Sequence, residues 1–171
     1  MAELRVKQNF LQRFNQWLPA SPLGAKVFSK FLHLVDAPLM KLSNEKLSVP
    51  QFVTGLPCVR LTSLGAKSGQ KRTIPTIGVP DGENIALICS NWGQARNPAW
   101  YHNLRKHPEA SLAFITTTHE AFEGQYTAQE VTDNDEYERL WQKACGVYIG
   151  YPKYRQRAAN RRIPIMLMVP N

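Results

Sequence analysis

Short apolar runs, broken by glycine, proline and charged residues, dominate the chain after residue 56 and limit what it can fold into. The runs that predict strands are PCVRLT (57–62), RTIPTIGV (72–79), NIALICS (84–90), ASLAFITT (110–117), HEAFEGQYTAQEV (119–131) and IPIMLMV (163–169). Turn signals such as PDG (80–82) separate neighbouring runs, which favours antiparallel pairing. Closing such a sheet into a small barrel removes its exposed edges. We therefore expect an α+β fold built on a mostly antiparallel barrel.

Helical patterns interrupt and precede these strands. Asn97-Pro98 is expected to cap a helix ended by Pro108, and Thr132 a second helix over DNDEYERLWQKAC. Near the N-terminus, apolar residues recur at helical spacing in two segments, 10–18 and 22–35. The predicted organisation is an N-terminal helical extension over 1–56, followed by the barrel domain over 57–171.

Charge and cysteine usage bound the function. The net charge of +8 suits an anionic ligand, a nucleic acid or an anionic membrane. The three cysteines form no disulfide framework, and we expect a cytoplasmic protein. The first helix pairs Phe10, Phe14 and Trp17 with basic residues, so it either packs on the barrel or makes peripheral membrane contact. The four histidines form no metal-binding motif, and no metal is expected.

The stretch LTSLGAKSGQKRTIP (61–75) places positive charge and glycine between two predicted strands. Gly65 and Gly69 allow the turn to curl its amides inward, and Lys67, Ser68 and Arg72 add donors for an anion. A Walker A loop is excluded because a strand, not a helix, follows. A solvated hairpin turn explains the composition equally well.

Two aromatic segments are further candidates. In CSNWGQARNPAWYHNL (89–104), Trp92 and Trp100 are suited to wall a planar ligand, although Trp100 also has the spacing of a core residue. In YIGYPKYRQR, tyrosines recur every three residues. Their phenols either hydrogen-bond a substrate or are amphipathic residues at a domain surface.

Together the motifs carry a family resemblance. The order of LTSLGAKSGQKRTIP, SNWGQARNPAWYHNLRKHP, YIGYPKY and RRIPIMLMVP resembles the deazaflavin-dependent nitroreductases, split β-barrel oxidoreductases that use coenzyme F420. The family loop, approximately G-[RK]-K-[ST]-G-x-x-R, is matched except that Ala66 replaces a common basic residue. Where many members have Ser-Lys-Gly-Gly, this chain has Ser90-Asn91-Trp92-Gly93, which weakens the inference of nitro-compound reduction.

The resemblance implies a set of site residues. Those implied to bind the coenzyme are Ala66, Lys67, Ser68, Gly69, Arg72, Thr73, Ile74, Pro75, Thr76, Ile77, Ile88, Cys89, Ser90, Asn91, Ala99, Trp100, Asn103 and Tyr151. Those implied to face the substrate are Trp92, Tyr148, Tyr151 and Tyr154. The catalytic candidates, which would donate a proton or orient a water, are Ser90, Tyr148 and Tyr151.

The implied reaction is hydride transfer to an electron-poor small molecule: an enone, a quinone or a nitroaromatic compound. A split-barrel enzyme that binds FMN is the nearest alternative, because its phosphate makes similar demands on the loop. A nucleic-acid-binding barrel is the alternative from another class. NIALICS and IPIMLMV lack the interleaved basic and aromatic residues that such a barrel uses, so no nucleic acid is expected as a partner.

Overall fold

The computed structural model describes residues 56–114, 123–158 and 161–171. The predicted N-terminal helices lie outside these ranges, and so do both of their interpretations, packing on the barrel and peripheral membrane contact. The division into an extension over 1–56 and a barrel domain over 57–171 stays a prediction.

Six antiparallel strands close into a barrel, as the apolar runs predict. In the order of their hydrogen-bonded neighbours they are β1-β2-β3-β6-β5-β4. Their bounds are β1 Cys58–Leu64, β2 Lys71–Asp81, β3 Asn84–Ile88, β4 Glu109–Phe114, β5 Glu123–Glu130 and β6 Ile165–Pro170. The closed order gives every strand two neighbours, so no edge of the sheet is left unpaired.

Three helices and one short turn are inserted between the strands. The helices are α1 Ala99–Lys106, α2 Asn134–Val147 and α3 Tyr151–Arg157, and a 3-10 turn covers Asn91–Gly93. Helix α1 was predicted from its proline boundaries. Helix α3 was not predicted, because the tyrosine-rich segment was interpreted only through its side chains. The expected barrel with inserted helices is confirmed in the described part of the chain.

Side-chain alternation along the strands builds two hydrophobic cores. One face of each strand fills the barrel interior, with Leu61, Leu87 and Met168 among the fully buried residues, and α1 adds Tyr101 and Leu104 to it. The opposite face of β1, β2, β3 and β6 packs against α2 and α3. The second core contains Cys58, Val79, Ala86, Ile88, Ile165, Trp141 and the three tyrosines of YIGYPKY.

Two expected helix caps are wrong in detail. Helix α2 is capped by Asp133 rather than Thr132, and the Asp133 carboxylate accepts a hydrogen bond from the Glu136 amide at 2.9 Å. A carboxylate three residues before a glutamate is the capping-box arrangement, which outweighs the neighbouring threonine. Helix α1 begins after Pro98 without a side-chain cap. The Asn97 side chain instead accepts a hydrogen bond from Arg161 at 2.7 Å.

The PDG turn is also displaced by one residue. Strand β2 continues through Asp81, which pairs with Asn84 across a turn at Gly82. Gly82 has a φ of 64°, a left-handed conformation that glycine adopts without strain. Continuing β2 to Asp81 places that carboxylate beside α2.

Asp81 fastens the end of β2 to helix α2. Its carboxylate accepts two hydrogen bonds from the Arg139 guanidinium, both at 2.8 Å, and one from the Lys143 ammonium at 2.9 Å. The Arg139 hydrogen bonds, with a contribution from Lys143, lower the pKa of Asp81 from 3.8 to about 2, although burial opposes them. The folded state therefore favours the ionised carboxylate.

This contact predicts an acid-dependent loss of stability. Because the pKa is lower in the folded state, the stabilisation is present above pH 4 and is lost as the pH falls towards 2. We expect Asp81→Asn to lower the free energy of unfolding at pH 7 by about 1–2 kcal/mol, allowing for solvent screening of the exposed partners. Denaturant unfolding at several pH values measures this.

The matched control is Glu136→Gln, since Glu136 lies 3.9 Å from Arg139 and is well exposed. We expect that variant to change stability by less than about 0.5 kcal/mol. If Asp81→Asn and the wild type kept the same stability difference from pH 7 down to pH 2, the role given to Asp81 would be wrong.

Candidate active site

The basic loop, residues 65–72, consists of the tight turn that joins β1 to β2 and the first two residues of β2. The Gly65 amide donates to the Gln70 carbonyl and the Gly69 amide to the Gly65 carbonyl, both at 2.8 Å. Gly69 has a φ of 65°. A Cβ on Gly65 would lie 2.7 Å from the Ser68 hydroxyl oxygen, so a side chain there would displace the serine. The left-handed φ thus favours glycine at 69, and a side chain at 65 would first have to move the Ser68 hydroxyl.

The loop presents cations without acidic partners. Lys67, Ser68 and Arg72 are exposed, and the Arg72 guanidinium donates a hydrogen bond to the Gln70 side-chain oxygen at 3.4 Å. Within residues 56–114, 123–158 and 161–171, neither Lys67 nor Arg72 forms an ion pair. Unpaired ammonium and guanidinium groups beside a hydroxyl form a donor set that suits a phosphate.

Helix α1 holds this loop in place. The Asn103 side-chain oxygen accepts a hydrogen bond from the Ala66 amide at 2.9 Å, and its amide group donates to the Ser63 hydroxyl at 3.4 Å. The Lys106 ammonium donates to the Ala66 carbonyl at 2.7 Å. The structure thus brings Asn103 to the loop, and it adds Lys106. Sequence reasoning missed Lys106, although its position one helical turn after Asn103 was a usable signal.

Strand β2 runs from the loop into the core that also contains the three tyrosines of YIGYPKY. Thr73 is exposed, whereas Ile74, Pro75, Thr76 and Ile77 are half-buried. Ile74 packs on the interior core and Ile77 on the core beneath α2 and α3. At the rise of an extended strand, the distance from Arg72 to Ile77 is roughly 17 Å. The strand therefore spans a path long enough for an elongated ligand with one anionic end.

The 3-10 turn has an unusual backbone. Asn91, Trp92 and Gly93 have φ values of 45°, 59° and 77°, all in the left-handed region. For residues other than glycine this conformation costs roughly 1–2 kcal/mol each. The Asn91 amide side chain compensates in part by donating to the Arg96 carbonyl at 2.9 Å. Strain of this kind persists only where the surroundings enforce it.

This turn packs on helix α3. The Trp92 ring meets the Tyr154 ring edge-on, with centroids 6.1 Å apart. A Cβ on Gly93 would lie 3.1 Å from the Tyr154 Cα and 2.9 Å from the Arg157 Cβ, so only glycine permits this approach. Trp92 and Tyr154, both predicted to face the substrate, are therefore neighbours. Ser90, which precedes the turn, is half-buried.

Tyr148, Tyr151 and Tyr154 form a buried group, here called the tyrosine cluster. Each is at most 3% exposed, which excludes the alternative that they are amphipathic surface residues. The Tyr148 and Tyr154 hydroxyls share a hydrogen bond of 2.8 Å, and the Tyr151 ring meets the Tyr148 ring edge-on at 5.2 Å. A Cβ on Gly150 would lie 2.5 Å from the Tyr148 hydroxyl, so Gly150 leaves the space that this hydroxyl occupies.

The Tyr151 hydroxyl differs from the other two. It is fully buried, and no described residue forms a hydrogen bond with it. Leaving a buried donor without a partner costs about 1–3 kcal/mol. Burial raises the pKa of Tyr151 well above its usual value and raises that of Tyr148. Both phenols therefore keep their protons at neutral pH.

The remaining predicted residues lie in the core or at the surface. Ile88 is buried in the core beneath α2 and α3, and Cys89 in the barrel interior, where burial raises the pKa of the thiol and keeps it protonated. Ala99 is exposed. Trp100 packs against the interior core, the placement that its helical spacing also allowed.

In the described part of the chain, no three histidine, cysteine or acidic side chains lie close enough together to bind a metal ion. None of the helices described there has both the length and the apolar character needed to cross a membrane.

Comparison with known proteins assigns the family. The family model of the F420H(2)-dependent quinone reductases matches residues 40–170. An F420H(2)-dependent quinone reductase of Mycobacterium tuberculosis is 32% identical over 114 residues, which is 66% of this chain and 72% of that protein. These matches confirm the predicted resemblance to F420-dependent reductases, and their names give quinones, one of the three expected acceptors.

Solved structures agree with this assignment. The structure of an F420-H2 dependent reductase is 30% identical, has a TM-score of 0.56, and covers 66% of this chain and 93% of its own. A structure described as a domain-swapped dimer is 26% identical, has a TM-score of 0.58, and covers 79% of this chain and 96% of its own. On the length of the family match, the chain belongs to the F420H(2)-dependent quinone reductase family.

Proposed function

We propose that this protein binds reduced coenzyme F420 along the basic loop and β2 and reduces a quinone held beside the tyrosine cluster. The observation that carries the proposal is that β2 connects two sets of polar groups that lack partners in the described part of the chain. Among the residues that the structure describes, cations without an ion pair lie at one end of β2, and the core against which the other part of β2 packs contains the Tyr151 hydroxyl, which has no hydrogen-bond partner there. An elongated ligand would place its phosphate on the cations and its ring along β2, and a quinone held beside that ring would accept a hydrogen bond from Tyr151.

The donor set fits the coenzyme. Lys67, Ser68 and Arg72 would hold its phosphate, while Asn103 and Lys106 would keep the loop in shape through Ala66. Thr73 to Ile77 would line the ring system, with Ser90 beside it. When bound, the reduced deazaflavin supplies the hydride for the quinone.

The protein's own contribution is to hold the substrate and supply a proton. The buried phenols remain protonated at neutral pH, so they act as hydrogen-bond donors rather than as bases. The Tyr151 hydroxyl has no competing partner in the described structure and is available to donate to a quinone oxygen. Tyr148 is already bonded to Tyr154, so Tyr151 is the better placed of the three phenols to donate.

A titration tests the choice of cofactor. The purified protein is titrated with coenzyme F420 and, separately, with FMN, and quinone reduction is then followed with the reduced form of whichever binds. We expect saturable binding of F420 and quinone turnover. Binding of FMN alone would contradict the proposal. Enone and nitroaromatic acceptors, assayed alongside, test whether quinones are preferred.

The phosphate site predicts a charge-specific loss of binding. Replacing Lys67 or Arg72 with alanine removes a charge-assisted hydrogen bond, so we expect F420 binding to weaken by about 1.5–3 kcal/mol. Isothermal titration measures the change.

Lys71→Ala provides the matched control. It removes the same charge from the residue adjacent to Arg72, on the opposite face of β2. We expect it to weaken binding by less than about 0.5 kcal/mol, the size of a screened, indirect electrostatic effect. If all three variants lost affinity equally, the effect would be general electrostatics rather than a site built from Lys67 and Arg72.

The unpartnered hydroxyl predicts opposite effects on stability and turnover. Tyr151→Phe removes a buried group that has no partner in the described structure, so the free energy of unfolding of the ligand-free protein should stay the same or rise by up to about 1 kcal/mol. Quinone turnover should fall about tenfold or more while F420 affinity stays within about threefold. Thermal unfolding, steady-state kinetics and titration give the three quantities.

Tyr126→Phe is the control for the loss of a buried phenol. Tyr126 is 4% exposed and lies in the barrel interior, away from α3. We expect wild-type turnover from it. Wild-type turnover from Tyr151→Phe on every quinone would remove Tyr151 from proton delivery.

A further inference from the structure

Arg161 binds one loop of the protein almost entirely through main-chain carbonyls. Its Nε donates to the Gln94 carbonyl at 2.9 Å and its Nη2 to the Ser90 carbonyl at 2.9 Å. Its Nη1 donates to the Asn97 side-chain oxygen at 2.7 Å, and both terminal nitrogens approach the Cys89 carbonyl at 3.4 Å. One guanidinium therefore contacts the segment 89–97 at both of its ends.

No carboxylate pairs with Arg161 among the residues that the structure describes. Carbonyl and amide oxygens that point at the guanidinium stabilise its charge. Burial opposes this effect and lowers the pKa of Arg161. A planar fork with five donors suits several acceptors in fixed directions, whereas a lysine ammonium does not reproduce that geometry. Arg161 therefore fixes the backbone conformation of segment 89–97 and does not neutralise an acidic side chain in it.

The segment that Arg161 holds contains the strained 3-10 turn. The Ser90 carbonyl also accepts the Gly93 amide at 2.9 Å, and the Gln94 amide donates to the Asn91 carbonyl at 3.0 Å. Arg161 thus binds the same carbonyl that closes the turn. The left-handed conformation of Asn91 and Trp92 needs external support of this kind.

We propose that Arg161 is a positioning residue that sets the 3-10 turn against the tyrosine cluster. Its contacts keep Trp92 and Gly93 on Tyr154, whose hydroxyl bonds that of Tyr148. The orientation of this phenol pair towards a substrate therefore depends on a residue outside the site. The structural part of the inference stands on these contacts alone, and only its effect on turnover rests on the proposed function.

Amide hydrogen exchange in the ligand-free protein tests the structural part. We expect Arg161→Lys to speed exchange at the Gly93 and Gln94 amides by about tenfold or more, while strand amides such as that of Leu112 in β4 keep their rates. The control is Arg162→Lys, the same substitution at the neighbouring residue. Arg162 lies over the Tyr137 ring at 4.0 Å, so we expect this variant to leave exchange in the turn unchanged. Unchanged exchange at Gly93 and Gln94, or uniform acceleration throughout the barrel, would overturn the proposal.

A second variant guards against a folding defect. Asn97→Ala removes one acceptor of Arg161 without changing any charge, and we expect faster exchange at the same two amides. If Arg161→Lys fails to fold, the result for Asn97→Ala decides: faster exchange confined to the turn supports the proposal, and wild-type exchange overturns it.

Kinetics test the functional part. We expect Arg161→Lys to lower quinone turnover about tenfold while F420 affinity stays within about threefold, because the basic loop is held separately by α1. Equal losses in affinity and turnover would overturn the positioning role. If the wild-type protein reduces no quinone, the proposed function fails, whereas the exchange result still decides whether Arg161 sets the turn.

Discussion

The rest of the structure depends on the two-sided burial of strand β2. Its alternating side chains contribute Ile74 to the barrel interior and Ile77 and Val79 to the core beneath α2 and α3. Because the strand contributes to both cores, a one-residue slip in its pairing would exchange the two sets, and each core would receive side chains that it does not fit. The register with β1 and β3 is therefore strongly determined. That register places the basic loop at one end of β2 and the Asp81 contact at the other.

The candidate site contains two kinds of polar group: those whose hydrogen bonds are made within the described protein, and those that lack an ion pair or hydrogen bond there. Asn103 and Lys106 are used up in shaping the loop, whereas Lys67, Arg72 and the Tyr151 hydroxyl have no ion pair or hydrogen bond that would occupy them fully within the described ranges. A buried hydroxyl without a partner is costly, so its presence beside a candidate substrate position is informative. Residues of the first kind build the site, and residues of the second kind would contact a ligand.

The turn after β3 shows how a functional segment is stabilised from a distance. Two non-glycine residues in the left-handed region would relax if the turn were isolated. Arg161 on one side and Tyr154 on the other enclose the turn. Asn91 and Trp92, the residues that depart from the usual family motif, thus lie where the backbone is most constrained.

The sequence by itself determined the strands, helix α1 and the loop chemistry, because alternation, proline boundaries and glycine act over a few residues. It also carried the family resemblance, since four motifs in order are specific. Only the tertiary structure decided the burial of the tyrosines, because their spacing suits a surface as well as a core. Arg161 lies 64 to 72 residues from its partners in the chain, and no local pattern records such contacts. The strand register and the packing of the closed barrel bring these distant residues together, so their contacts can be identified only in the tertiary structure.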